Sequence, residues 1–312
     1  MSNLLIVGSI AYDSIQTPFG KVNKTLGGSA SFFSLASRFF TKAKIVGVIG
    51  EDFKKTDFNT LAKVADVSGI AKAKGNTFHW SGRYHFDLNS RDTLKTELGV
   101  FENFKPQLST QNINSDYIFL GNIHPKLQLD VLKQVSKPKF IGLDTMNFWI
   151  GNALKDLKII LKKVDCLIIN DSEARELSRE HNILKAAKKI LGMMRSSNKS
   201  SLNPQPSTLI IKRGEYGLLM FNGKQVFHLP GFPLEDVIDP TGAGDSFAGG
   251  FMGYITKTQN TTWENLKKAC VAGSVLASFS VEALGTKALQ KVSNEKITKR
   301  FNDFKTLTHF HS

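Results

Sequence analysis

A chain of 312 residues is long enough for one large α/β domain that carries a small appendage. No apolar run approaches the roughly 20 residues of a bilayer span, and the N-terminal run is too short for a secretory signal. We therefore expect a cytoplasmic protein without a membrane partner. The formal net charge is +14, but the basic residues are scattered, which is typical of a solvated surface and does not favour a nucleic-acid partner.

The predicted elements alternate between short apolar strands and amphipathic helices. The strands are Leu4 to Val7, Lys44 to Ile49, Tyr117 to Leu120, Lys139 to Leu143, Cys166 to Ile169 and Thr208 to Ile211. The helices are Ser29 to Phe40, Leu127 to Gln134, Ser172 to Ser178, Ile183 to Met194, Gly244 to Ile255 and Trp263 to Ser278. Continuously apolar strands indicate a parallel sheet covered on both faces, and the alternation predicts a doubly wound α/β sandwich.

Two stretches interrupt this alternation. Residues 13–26 and 76–101 are short, extended, aromatic and polar segments that together predict a small β lid over one edge of the sheet. A peripheral hairpin without a role is the alternative, although long excursions in compact domains are often functional.

The run 196–207 is rich in Ser, Asn and Pro, which predicts a surface loop. Cys166 and Cys270 each lie in an apolar run, so we expect two buried thiols and no disulfide or zinc site.

The sequence Asp239-Pro240-Thr241-Gly242-Ala243-Gly244-Asp245 precedes an apolar helix-like stretch. Two glycines around one alanine allow a tight turn in which successive amide hydrogens point into one concavity. A helix that begins there adds the positive end of its dipole, so the segment predicts a site for a phosphoryl group. Asp245 beside that site is suited to accept a hydroxyl proton, while a simple helix cap is its alternative role.

This segment resembles the C-terminal signature of the PfkB, or ribokinase-like, carbohydrate kinase family, Asp-Thr-x-Gly-Ala-Gly-Asp, with Pro240 as one departure. The resemblance implies that the amides of Gly242, Ala243 and Gly244 form an anion hole and that Asp245 is the catalytic base. It also implies a ribokinase-like three-layer α/β/α sandwich with a mostly parallel central sheet, a single kinase domain over 1–312 with the lid inserted, and the cofactors ATP and Mg²⁺. Pairing of two copies through the lid stays open.

Two further elements resemble the nucleotide side of the family. Asn170-Asp171-Ser172-Glu173 is similar to its Asn-x-x-Glu element, which implies a nucleotide contact from Asn170 and a magnesium contact from Glu173, largely through water. A helix cap completed by Glu173 is the alternative. The loop after the strand ending at Ile211 implies that Lys212 and Gly214 lie near ATP, although an ordinary basic turn has the same sequence.

The acceptor side resembles the family near the beginning of the chain. There Asp13 would accept hydrogen bonds from substrate hydroxyls, and the backbone of Gly27 and Gly28 would approach the substrate closely. Asn122 falls where the family often places another polar substrate contact. Many relatives carry Asn where this chain has Phe32, which removes a hydroxyl-directed contact and adds an apolar surface.

Five positions have less specific roles. Asp144 and Asn147 follow a strand end, where ligands bind in open α/β sheets, although each has the alternative of only stabilising a loop. Asp239 and Thr241, together with Gly285, lie where some relatives hold a monovalent cation, and oxygen donors there would suit K⁺.

We therefore expect an ATP-dependent phosphotransferase that acts on a hydroxyl group, in the first place a hydroxymethyl group, of a small sugar or sugar-like substrate. The nearest alternative is a nucleoside kinase of the same fold, in which Phe32, Phe78, Trp80 and Tyr84 would stack on a base if the lid points them inward. Packing of the lid is the other role open to these rings. A non-catalytic nucleic-acid-binding protein is a remote alternative that would explain the charge but not the ordered motifs.

Overall fold

The computed structural model describes residues 3–195 and 206–308. Residues 196–205 of the predicted surface loop lie outside the described residues. Within the described ranges the strands are β1 Leu4–Val7, β2 Ala11–Thr17, β3 Gly20–Gly27, β4 Lys44–Ile49, β5 Asp66–Lys72, β6 Phe78–Tyr84, β7 Arg91–Glu97, β8 Tyr117–Leu120, β9 Phe140–Asp144, β10 Cys166–Asn170, β11 Thr208–Lys212, β12 Leu218–Asn222 and β13 Gln225–Leu229.

The α-helices are α1 Ser29–Ser37, α2 Lys55–Val64, α3 Thr110–Ile113, α4 Pro125–Gln134, α5 Asn147–Asn152, α6 Leu154–Leu161, α7 Asp171–Ser178, α8 Ile183–Met194, α9 Ala243–Thr258, α10 Trp263–Ser280, α11 Lys287–Lys291 and α12 Asn294–Thr308. None of the helices in the described parts of the chain has the length and apolar character that a membrane crossing requires. Both cysteines are buried thiols, as expected.

The chain divides into two compact units. The first contains the residues up to Val7 and Lys105–Gly231, and the second contains Gly8–Phe104 and the residues from Phe232 on. In the first unit the strand order is β13-β12-β11-β10-β9-β8-β1. Strands β1, β8, β9, β10 and β11 are parallel, and β12 and β13 continue the sheet in antiparallel fashion. The parallel strands are apolar and buried along almost their whole length, which confirms the sequence-based prediction.

The second unit contains the parallel pair β4 and β5 and a separate four-stranded sheet in the order β3-β2-β6-β7. The four strands of this smaller sheet come from the two stretches that interrupt the alternation of the sequence. Strands β2 and β6 are parallel, whereas β3 and β7 pair with them in antiparallel fashion. We refer to these four strands, Ala11–Thr17, Gly20–Gly27, Phe78–Tyr84 and Arg91–Glu97, as the lid sheet.

Helix α9 of the second unit packs unusually closely against α1 and α10. A Cβ atom placed on Gly249 would lie 2.3 Å from the carbonyl oxygen of Phe33 in α1, and one on Gly250 would lie 2.9 Å from the carbonyl oxygen of Ala272 in α10. The backbones therefore approach to a distance that leaves no room for a side chain. This close packing fixes the position of the helix that begins at Ala243.

We expect Gly249→Ala to lower the free energy of unfolding by about 1–3 kcal/mol, because the new methyl group forces α1 and α9 apart. Gly192→Ala is the matched control, since Gly192 lies at an exposed position of α8 and no atom of a neighbouring element lies within 4 Å of the new Cβ. That change should instead stabilise the protein by roughly 0.5–1 kcal/mol through helix propensity. Denaturant unfolding of both variants measures the difference, and equal effects would contradict the close packing of α9.

Candidate active site

The predicted anion-binding turn lies at the beginning of α9. Gly242 is the N-cap residue with φ +75°, a left-handed conformation that glycine adopts without strain. Its carbonyl oxygen accepts hydrogen bonds from the Ser246 amide at 2.8 Å and from Ser246 Oγ at 2.7 Å. The Ala243 amide donates to the carbonyl oxygen of Pro240 at 3.2 Å, which closes the turn. Gly244 lies in the first helical turn, where N–H groups have no acceptor within the helix.

Phe32 forms the floor of this turn. A Cβ atom on Gly242 would lie 2.4 Å from the Phe32 ring, so the ring contacts the turn directly. Phe32 is only 1% exposed. A side chain that is buried to this extent has no face available for a base, so the stacking role considered for Phe32 is wrong. The replacement of the family asparagine by phenylalanine instead supplies an apolar support beneath the glycine turn.

Asp13 is buried beside the same turn. It lies on β2 with 5% exposure, its carboxylate accepts a hydrogen bond from the Gly28 amide, and a Cβ atom on Gly27 would lie 1.9 Å from its Oδ2. The pKa of Asp13 is raised to about 7, mainly by burial and in smaller part by the negative charges of Asp245 and Asp239, while the hydrogen bond from the Gly28 amide opposes the rise. The predicted acceptor-binding carboxylate and the predicted base are therefore near enough to influence each other.

Asp239 shapes the loop that leads into the turn. The side chain has 0% exposure, and its two oxygens accept hydrogen bonds from the Thr241 amide at 2.9 Å and from the Gly285 amide at 2.7 Å. Burial raises the pKa of Asp239, and these hydrogen bonds oppose the rise. Asp239, Thr241 and Gly285, which were considered for a monovalent cation, thus lie in contact. The two hydrogen bonds show that the Asp239 carboxylate fixes the backbone at Thr241 and at Gly285. Cation binding stays a prediction, and the described ranges contain no group of three His, Cys, Asp or Glu residues suited to a metal ion.

The lid sheet presents a second set of candidate residues. Asp13 pairs with Trp80 across β2 and β6, so the two side chains leave the same face of the sheet. Trp80 is half-buried, and a Cβ atom on Gly82 would lie 2.2 Å from its ring, which therefore lies over Gly82. Tyr84 on the same face is 6% exposed, and its hydroxyl oxygen accepts a hydrogen bond from Thr241 Oγ1 at 3.2 Å.

Phe78 has a structural contact instead. Its ring stacks on Phe101 with centroids 5.4 Å apart, and Phe101 stacks in turn on Phe104 at 5.6 Å. Of the four aromatic residues considered for stacking, Trp80 is thus the one whose ring is neither deeply buried nor stacked on another aromatic residue within the described part of the chain. Sequence reasoning considered Tyr84 for stacking on a base or for packing of the lid, and it missed the bond to Thr241 because the two residues are far apart in the sequence.

In the first unit, four of the predicted polar residues lie at one edge of the sheet. Strands β8, β9, β10 and β11 are parallel, and Asn122, Asp144, Asn170 and Lys212 lie at or just after their carboxyl ends. Burial raises the pKa of Asp144, and the positive charge of Lys212 opposes this rise. Gly214, with φ +56°, begins a 3₁₀ turn directly after β11. This edge is where ligands bind in open α/β sheets.

Asn170 and Glu173 form a complete capping box at the beginning of α7. Asn170 Oδ1 accepts a hydrogen bond from the Glu173 amide at 2.8 Å, and Glu173 Oε2 accepts one from the Asn170 amide at 2.7 Å. The cap considered for this pair is therefore confirmed. Their contacts to nucleotide and magnesium remain a prediction, which a water-mediated contact would satisfy without breaking the cap.

Asn122 and Asn147 both have protein partners in the first unit. Asn122 Oδ1 accepts a hydrogen bond from Trp149 Nε1 at 2.9 Å, and its Nδ2 lies 3.1 Å from Met146 Sδ. Asn147 donates to the carboxylate of Glu176. If Asn122 contacts the substrate as predicted, its side-chain amide must bind the substrate and Trp149 together. Sequence reasoning missed Trp149, because nothing in the local sequence pattern distinguishes this residue.

A doubly wound α/β fold, with a glycine turn at the beginning of a helix and an aspartate in its first turn, has the groups that a phosphotransferase requires. The chain belongs to the pfkB family of carbohydrate kinases, whose model matches residues 1–292. The predictions of the family, the fold and kinase activity are confirmed by these comparisons.

Several kinases and kinase structures are similar to this chain. The chain is 28% identical over 262 residues to a cytidine kinase of Thermococcus kodakarensis, which covers 81% of this chain and 89% of that protein. The structure of a nucleoside kinase from Methanocaldococcus jannaschii matches with a TM-score of 0.74 and 19% identity over 97% of this chain and 99% of that one. An E. coli protein that carries the name ribokinase II, solved with ATP and Mg²⁺, matches with a TM-score of 0.74 and 18% identity over 98% and 100% of the two chains.

Asp13→Asn should stabilise the protein at pH 8. The folded-state pKa of about 7 lies above the ordinary aspartate value of 3.8, so the folded state binds the proton more tightly and loses stability as the pH rises between these values. The stability advantage of Asp13→Asn over the unmodified protein should therefore grow from pH 4 to pH 7 and then level off. Thermal unfolding across this range measures it.

Asp66→Asn is a control for which we expect the opposite change in stability. Hydrogen bonds from Ser68 lower the pKa of Asp66, so its carboxylate contributes stability above the unfolded-state pKa. At pH 8 this variant should therefore be less stable than the unmodified protein. A stability advantage of Asp13→Asn that did not change with pH would contradict the raised pKa of Asp13.

Proposed function

We propose that this protein transfers the γ-phosphoryl group of ATP to a hydroxymethyl group of a nucleoside. The observation that carries this proposal is the register pair Asp13 and Trp80, which places a carboxylate and an indole on one face of the lid sheet. A carboxylate suits the hydroxyl groups of a ribose, and an indole suits the flat face of a base. The cytidine and nucleoside kinases among the similar proteins support the same acceptor class.

Asp13 holds the acceptor in this proposal. Above its pKa of about 7 the carboxylate has no proton and accepts hydrogen bonds from the sugar hydroxyls. Its burial means that water competes weakly for these bonds once a substrate is in place. The backbone at Gly27 and Gly28, which already contacts the carboxylate, forms the adjoining wall.

The transfer step uses the turn at the beginning of α9. Asp245 takes the proton of the attacking hydroxyl as the new oxygen–phosphorus bond forms, and the bond between the γ-phosphorus and its bridging oxygen breaks to release ADP. The amides of Gly242, Ala243 and Gly244, with the positive end of the α9 dipole, stabilise the negative charge that develops on the phosphoryl oxygens. Closure of the lid sheet excludes water from the reaction.

The nucleotide side of the proposal rests on the first unit. Lys212 and Gly214 contact ATP, while Asn170 and Glu173 organise Mg²⁺ through water. Their amide and carboxylate oxygens are the donors that Mg²⁺ prefers, and water-mediated contact suits a carboxylate that is already engaged in a capping box. When bound, Mg²⁺ neutralises charge on the transferred group.

A small sugar is the second candidate acceptor. Family membership supports it, and Asp13 would hold sugar hydroxyls in the same way. The two candidates differ in whether Trp80 contributes to binding, because a sugar without a base leaves the indole without a partner.

Asp245→Asn should lower acceptor-stimulated ADP formation by at least a factor of about 100, because the amide cannot take the proton. Turnover is measured with Mg²⁺ and ATP against cytidine, adenosine, inosine, ribose and fructose. Stimulation by nucleosides supports the proposal, and stimulation by sugars alone rejects the nucleoside assignment. Unchanged turnover in Asp245→Asn would remove the base from the mechanism.

Trp80→Ala should raise the KM for a nucleoside by about 5- to 100-fold, since base stacking on an aromatic residue contributes roughly 1–3 kcal/mol. Trp80→Phe keeps an aromatic face and should lose less. Ribose serves as the control acceptor, whose KM should stay within about twofold. Equal losses with nucleoside and ribose would show that Trp80 supports the lid and does not bind a base.

A further inference from the structure

One hydrogen bond connects the lid sheet to the loop that leads into the anion turn. Thr241 Oγ1 donates to the hydroxyl oxygen of Tyr84 at 3.2 Å, although the two residues are 157 positions apart in the sequence. Tyr84 is 6% exposed, and burial raises its pKa, so its phenol is neutral at physiological pH. The contact therefore joins two neutral hydroxyl groups in a site from which water is largely excluded.

Thr241 is held from two directions. Its amide donates to Asp239 Oδ1 at 2.9 Å, and its hydroxyl donates to Tyr84. The next residue is Gly242, the N-cap of α9, whose left-handed backbone has φ +75°. A glycine in this position has little conformational preference of its own, so its orientation depends on the residues that flank it.

We propose that Tyr84 is a positioning residue of the transfer step, an inference that rests on the proposed function. Its bond to Thr241 sets the direction in which the turn at Gly242 presents its amides to the phosphoryl group. The anion hole is then complete only when β6 of the lid sheet is in place.

Arg91 extends this connection toward the acceptor. Arg91 pairs with Tyr84 across β6 and β7, its positive charge opposes the rise in the pKa of Tyr84, and its Cζ lies 5.7 Å from the centroid of the Trp80 ring. Trp80 and Tyr84 are on the same face of β6, with Gly82 between them. The residue proposed to contact the base and the residue proposed to orient the turn thus share one strand and one guanidinium partner.

The test is a double-mutant cycle with Tyr84→Phe and Thr241→Val. Each change removes one hydroxyl and keeps the shape of the side chain. Loss of a hydrogen bond of this kind should lower kcat by about 2- to 10-fold, while the KM for the acceptor stays within about twofold. The double variant should be no slower than the slower single variant, because both changes remove the same bond. Thr241→Ser, which keeps the hydroxyl, should restore kcat to within about twofold of the unmodified protein.

The same proteins are assayed with cytidine, with ribose and without an acceptor, where ATP hydrolysis by water is measured. If ribose is phosphorylated and cytidine is not, the nucleoside assignment fails. The kcat values of the variants with ribose then still test the role of Tyr84. If neither is a substrate, the cycle is read from acceptor-free hydrolysis, which uses the same anion turn. An unchanged kcat in both single variants, or additive losses in the double variant, would overturn the positioning role. A fall in thermal stability without a fall in kcat would do the same.

Discussion

The buried carboxylate of Asp239 is the interaction on which the active-site geometry of the second unit depends. One oxygen fixes the amide of Thr241 and the other fixes the amide of Gly285. Thr241 leads into the glycine turn, and Gly285 lies against Thr25 of β3, since a Cβ atom there would lie 2.7 Å from Thr25 Cγ2. Thr25 in turn pairs with Asp13 in the lid sheet. One carboxylate therefore connects the turn, the lid sheet and Asp13, the residue proposed to bind the acceptor.

This arrangement concentrates negative charge. Asp13, Asp239 and Asp245 are near enough for the last two to raise the pKa of the first, in addition to the larger effect of burial. Asp239 offsets its burial with two backbone hydrogen bonds, whereas Asp13 receives one from Gly28. A carboxylate can accept several hydrogen bonds, and in the proposed function the hydroxyl groups of the substrate donate to Asp13. Stability and function thus oppose each other at this residue, as is common at active sites.

The sequence predicted most reliably those elements whose local signal and tertiary environment agree. Strands β1 and β8 have the predicted bounds because they are continuously apolar and lie between other strands. Strand β5 and helix α2 were not predicted, because few of their residues are apolar and most of their side chains are exposed or half-buried. The capping box at Asn170 was considered because its pattern is local.

The site was harder to predict where a residue depends on a distant partner. Phe32 could be aligned with the family asparagine, but its burial beneath Gly242 follows from the packing of α1 against α9, which brings together residues 210 positions apart. The contacts of Tyr84 and Asn122 could not be predicted for the same reason, because their partners Thr241 and Trp149 lie elsewhere in the sequence. Motifs supply the chemical groups, whereas the direction in which a side chain points depends on contacts that no local pattern contains.

The use of aromatic residues bears on how selective the proposed nucleoside site can be. Phe32 is buried in the core, Phe78 stacks on Phe101, and Tyr84 accepts a hydrogen bond from Thr241. The proposed contact with the base therefore depends on Trp80. Stacking by itself distinguishes bases poorly, because each base has a π face. Discrimination among bases must therefore come from hydrogen bonds to the base edge, and a guanidinium group such as that of Arg91 supplies donors alone. A site of this composition favours bases that present acceptors, which cytidine does through its carbonyl oxygen and ring nitrogen.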